Sequence, residues 1–110
     1  MNTEWIIRSA NTKNIDGLDN VVFSVTYSVI ASFDDVGFMI DQLETIVLPS
    51  PNPDNFIPIE EVDKQKVLDW VKNQLGNEGI NRINQDLNDK YIMNKNANAG
   101  IKNEETLFFD

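Results

Sequence analysis

Phe56-Ile57-Pro58-Ile59-Glu60-Glu61-Val62-Asp63-Lys64-Gln65-Lys66-Val67-Leu68-Asp69-Trp70-Val71-Lys72-Asn73-Gln74-Leu75-Gly76 is the stretch whose reading decides how this 110-residue chain folds. Pro58 fixes its own φ and pushes Ile57 toward an extended conformation, so the chain arrives here from a loop or strand end. Asp63 stands one residue ahead of a helical pattern, where its carboxylate can accept from the free N–H groups of the first turn. Lys66 occupies the place a reciprocal capping box gives to Glu or Gln. Val67, Leu68, Val71 and Leu75 fall on one stripe at helical spacing, with Trp70 on its flank. Gly76 suits the left-handed position that closes a helix. Trp70 reads as a core-edge anchor holding this helix to a sheet. Its other use, a stacking platform for a base or sugar, requires a basic neighbourhood, and none surrounds it.

Beyond Gly76, Asn77 can cap a second helix whose apolar positions are Ile80, Ile83, Leu87 and Tyr91. So short a connection makes the two helices an angled or antiparallel pair. From Asn94 the period fails, and residues 95–110 read as an extended tail ending in Thr106-Leu107-Phe108-Phe109-Asp110. Leu107, Phe108 and Phe109 are its apolar groups and the candidate protein-contact residues, either added to a sheet edge in this domain or in another chain, or lying loosely across the chain's own core.

The half before Pro58 is β-patterned. Thr3 to Ser9 alternates, with Trp5 and Ile7 on one side and Glu4, Ile6 and Arg8 on the other. Asn11 to Asn20 reads as a loop around the turn dipeptide Asp16-Gly17. Val21, Phe23, Val25, Tyr27, Val29 and Ala31 then share a core face, with Ser24, Thr26, Ser28 and Ser32 on the other. Asp34 to Gly37 reads as a turn. Phe38 to Leu48 returns as a weaker strand whose apolar face is interrupted by Gln42 and Glu44. The second and third strands are each about twice the usual five or six residues, which predicts a hairpin bent by a bulge or projecting from the body. Pro49 to Asn55 reads as a stiff, solvated connector. The expected fold is α+β: a three-stranded antiparallel meander within residues 3–48, covered on one face by two C-terminal helices at about 63–76 and 78–93. One domain, 1–94, carries the tail 95–110.

Composition excludes more chemistry than it suggests. No cysteine is present, which removes disulfides and thiolate chemistry, and no histidine, which removes the usual general base, metal ligand and pH switch together. No apolar run approaches membrane-spanning length and the N-terminus lacks a signal pattern, so the protein is expected to be soluble and to stay where it is made. The formal charge of −9 is uneven: residues 1–60 carry nine acids against Arg8 and Lys13, residues 61–110 nine acids against seven bases. Such a first half repels nucleic acid and anionic membranes. The 15 asparagines read as compositional bias.

The pairs Asp34-Asp35, Glu60-Glu61 and Glu104-Glu105 read as solvated segments, since adjacent carboxylates on a strand point to opposite faces. Asn14 to Asn20 lacks the ligand ladder and distal Glu of a calcium loop. Catalytic, cofactor and metal residues are therefore expected to be none.

The ordered set Trp5, Asp16-Gly17-Leu18-Asp19-Asn20-Val21, Phe56-Ile57-Pro58, Val67-Leu68-Asp69-Trp70-Val71 and Leu75-Gly76-Asn77-Glu78 resembles a family of small uncharacterised proteins encoded by tailed bacteriophages. The resemblance spans about Glu4 to Ile92, and its most specific piece is Val-Leu-x-Trp-Val followed by Leu-Gly-x-Glu. It implies a phage origin and supplies no catalytic residue. Within a phage, the expected role is a non-enzymatic virion accessory or structural component of capsid or tail. Such a protein is made in the host cytoplasm and acts through contacts with phage structural proteins or itself. An acidic inhibitor of a host protein, either a DNA mimic or a defence antagonist, is the alternative on charge grounds, ahead of a small enzyme or replication accessory.

Overall fold

The computed structural model describes residues 1–33, 38–51 and 53–104, the side chains of 55 and 97–104 excepted. Three strands, β1 (Asn2–Ile15), β2 (Leu18–Ser32) and β3 (Met39–Val47), form an antiparallel sheet in the order β1-β2-β3. One long helix, α1 (Lys64–Glu104), packs against it after two short 3₁₀ turns at Pro53–Asn55 and Ile59–Glu61. The fold is α+β, and elongated, with extents of 67 × 24 × 23 Å.

The first hairpin corrects the expected loop at Asn11 to Asn20. β1 runs on to Ile15 and β2 begins at Leu18, with Ile15 paired to Leu18 across Asp16 and Gly17. Both turn residues have positive φ, 49° and 83°, as a two-residue type I′ turn requires. The polar residues here lack an apolar alternation because they bond across the ribbon. Asn11 Nδ2 donates to Ser24 Oγ at 3.0 Å, and the Asn20 N–H donates to Asn14 Oδ1 at 3.0 Å. Bulging and projection, expected of the β2–β3 hairpin, fall instead on β1–β2, since β2 pairs with β3 without a break in register. The β1 register shifts between Ile7 and Ser9, Asn11 and Thr12, and Lys13 and Ile15, while β3 reaches only as far as Ser24. The expected turn at Asp34 to Gly37 lies outside the described residues.

On β2 the odd-numbered face is the core. Val25, Tyr27, Val29 and Ala31 are buried, joined by Val67, Val71, Ile83 and Leu87 from α1, while Trp5, Ile7, Trp70 and Leu75 pack around them. Tyr27 is centred in this layer, its ring stacked on Trp5 at 5.7 Å. On the even-numbered face, opposite the core, Ser24 and Ser28 are buried too. Arg8 reaches across from β1, its Nε donating to Ser28 Oγ at 3.0 Å, and Asn11 likewise partners Ser24.

Asp63 caps α1 as its place predicts, with Oδ1 accepting from the Lys66 N–H at 2.8 Å. The helix is one element of 41 residues where two were expected. Gly76 alone within it is non-helical, with φ 65° and ψ −178°, and kinks it. The redirection happens at a single residue, so no loop or second cap separates Leu75 from Asn77. The expected extended tail from residue 95 is likewise corrected, because α1 continues to Glu104. The described side chains from Ile92 to Asn96 are all exposed, so no apolar period marks the helix there. Met93 is 70 % exposed, and Asn94 Nδ2 bonds the Lys90 carbonyl at 2.9 Å. No helix among the described residues is long and apolar enough to cross a membrane.

Candidate functional site

Leu48, Pro49, Pro51, Phe56 and Ile57 bring the proline-rich connector back against the start of β2 and the first turns of α1. Between them lies a groove of about 350 Å³ whose walls include Val21, Val22, Val62 and Trp70. The connector is thus more than the spacer its composition suggests. Among the described residues, Ser50, Asn73 and Gln74 are the polar ones lining the groove, and no charged side chain lines it. In a chain of net charge −9, such a surface favours apolar side chains with a few backbone hydrogen bonds over ions or polyanions. Trp70 anchors the helix, as the sequence suggests, and also offers part of its ring to the groove. Because the ring is only partly buried, Trp70→Ala is expected to cost about 2 kcal/mol, less than a fully enclosed aromatic. Chemical denaturation followed by far-UV dichroism measures it.

A second feature explains why Gln42 and Glu44 interrupt the apolar face of β3. Arg82 clamps Glu44 with two bonds, Nη2 to Oε1 at 2.8 Å and Nη1 to Oε2 at 3.1 Å, and Nη1 also reaches Asp86 Oδ2 at 3.1 Å. Tyr27 Oη donates to Glu44 Oε1 at 3.2 Å, Gln42 Nε2 to Glu44 Oε2 at 2.7 Å, and Lys90 Nζ to Gln42 Oε1 at 2.9 Å. The Arg82 clamp holds the Glu44 carboxyl below its ordinary value, with smaller help from Gln42 and Tyr27 and against its own burial. Burial, then the Glu44 charge, pushes Tyr27 up to about 12. Arg82, answering Glu44, is raised in turn. Every carboxylate and donor here is engaged within the network, so it is a strut between β3 and α1 rather than a poised acid or base.

That strut has a pH signature. Glu44 binds its proton less tightly folded than unfolded, so its contribution is full above the ordinary value of 4.5 and is lost as pH falls through the lower folded value. Glu44→Gln is therefore expected to flatten the acid limb of stability below about pH 4.5. An acid limb as steep as in the parent protein, measured by urea unfolding at a series of pH values, would contradict the clamp.

Of the acidic pairs, Glu60 and Glu61 sit exposed on the second 3₁₀ turn. Asp34, Asp35 and Glu105 lie outside the described residues, as do the candidate contact residues Leu107, Phe108 and Phe109. Asn14 to Asn20 forms the hairpin tip, and among the described residues no group of three or more acidic side chains could hold a metal ion. Neither the groove nor the strut is visible as a motif. The only signal for the strut is the pair of polar residues at apolar positions of β3.

A bulged three-stranded meander, a kinked helix packed against it and a groove between connector, β2 and α1 define a small α+β domain. The chain belongs to the family described as a domain of unknown function, DUF7936, which matches residues 1–105. No curated protein and no solved structure matches it.

Proposed function

We propose that this protein is a non-enzymatic protein-contact module, an accessory or structural component of a bacteriophage particle that docks on capsid or tail proteins. The phage setting rests on the sequence resemblance. The contact role is supported by the groove, whose uncharged lining stands apart from an otherwise acidic protein. Its volume accommodates two or three apolar side chains of an extended segment, and Trp70 beside Asn73 and Gln74 provides an aromatic wall with amide partners for a peptide backbone.

Quantitative mass spectrometry of purified particles tests this reading. The protein is expected at a fixed ratio to the major structural protein, and Val22→Glu, which places a charge in the groove, is expected to be folded yet lost from the particles. Failure to find the parent protein in particles sinks the virion reading. Equal retention of Val22→Glu sinks the groove as the contact.

The charge of residues 1–60 favours a second reading, an acidic antagonist of a basic host protein. Its affinity for that host protein is expected to fall steeply with added salt, whereas docking through the apolar groove is nearly insensitive to it.

A further inference from the structure

We infer that β3 is a self-pairing edge, through which two copies of the chain join their sheets into one of six strands about a two-fold axis at Leu43. Among the described residues β3 has a neighbour on one side only, and it pairs with β2 residue for residue from Met39 to Val47 with no break in register. The other edge, β1, is built to resist pairing. It has three register shifts and carries Arg8 and Lys13, the devices that protect an exposed edge. β3 has no bulge, no proline and no lysine, and exposes Met39, Leu43 and Val47 by 64, 64 and 68 %.

The strand also reads alike in both directions. From Leu43 outward, Glu44 answers Gln42, Thr45 answers Asp41, Ile46 answers Ile40 and Val47 answers Met39. Antiparallel pairing of two copies about Leu43 therefore sets Leu43 against Leu43, Met39 against Val47 and Ile40 against Ile46. Asp41 then meets Thr45 and Glu44 meets Gln42, so no two like charges stand directly opposed. The two Glu44 residues lie on a diagonal, each already clamped by its own Arg82. A two-fold contact of this kind must be self-complementary, and this strand is. Both helices then cover the same face of the joined sheet. The pairing is independent of the groove, which lies at the far end of β3 beyond Val47.

Sedimentation equilibrium of the full chain is expected to show a concentration-dependent dimer. Leu43→Lys, at an exposed position, sets two like charges face to face and is expected to weaken the dimer at least about tenfold with unchanged dichroism. Ser9→Lys, on the exposed β1 edge, is expected to leave it unchanged. The protein has no cysteine, so the register can be read directly. Leu43→Cys is expected to crosslink to its own copy on mild oxidation, since directly opposed residues fall within disulfide reach, while Thr45→Cys, set opposite Asp41, is not. A protein that stays monomeric at its highest soluble concentration overturns the inference. So does a dimer in which Thr45→Cys crosslinks as readily as Leu43→Cys.

Discussion

Tyr27→Ala is expected to destabilise the protein by about 3–5 kcal/mol, the range for deleting a large enclosed aromatic. The residue is 1 % exposed at the centre of β2, with its ring stacked on Trp5 and its hydroxyl bonded to Glu44. In a domain of this size such a loss lowers the melting temperature by about 15 °C or more. Tyr27→Phe keeps the ring and removes one of several donors to Glu44, so it is expected to cost only about 1 kcal/mol at neutral pH. The two variants differ again in alkali. The phenol binds its proton more tightly in the folded state, so the stability this provides is complete below 10 and declines as pH rises from 10 toward about 12. Tyr27→Phe abolishes that decline. Equal losses for Tyr27→Phe and Tyr27→Ala in urea denaturation at neutral pH would move the stabilising role from the ring to the strut.

Gly76→Ala is expected to cost up to about 3 kcal/mol, and for a different reason. Beyond the local backbone, no described atom lies within 4 Å of where its Cβ would stand, so the penalty is not a clash with packed neighbours. It arises because φ 65° with ψ −178° belongs to glycine almost alone. The mirror image of those angles is the extended polyproline region that L-residues favour. A D-alanine placed at residue 76 by chemical ligation is therefore expected to be neutral or mildly stabilising. If the L-variant is as stable as the parent, the kink is not required and α1 can run straight. Its apolar stripe before the kink, Val67 and Val71, would then no longer share a sheet face with Ile83 and Leu87.

Much of the architecture is legible from residue order because it rests on short-range rules. The odd-numbered stripe of β2, the Asp63 cap, the stripe of Val67, Val71 and Leu75, and the break at Gly76 each follow from spacing within a few residues. The distal part of the β1–β2 ribbon, Asn11 to Asn20, was not legible, because it is held by asparagine and serine bonds, a composition that also suits loops. The same holds for α1 around Asn94, where the described side chains from Ile92 to Asn96 are exposed and leave no period to read. Of the candidate site, Trp70 and the polar interruptions at Gln42 and Glu44 were visible as residues but not as partners.

The amino-acid order by itself therefore determines the elements that bury an apolar face, the antiparallel pairing of strands joined by short turns, and the exclusion of thiol and histidine chemistry. Only the tertiary structure decides that Arg82 answers Glu44 across 38 positions, that the connector folds back to enclose a groove with Trp70, and that β3 rather than β1 is the regular edge. These depend on which distant side chains meet once the core has closed. Polar pairing and surface concavity have no period along the chain, whereas burial on one face of a helix or strand repeats with the backbone geometry.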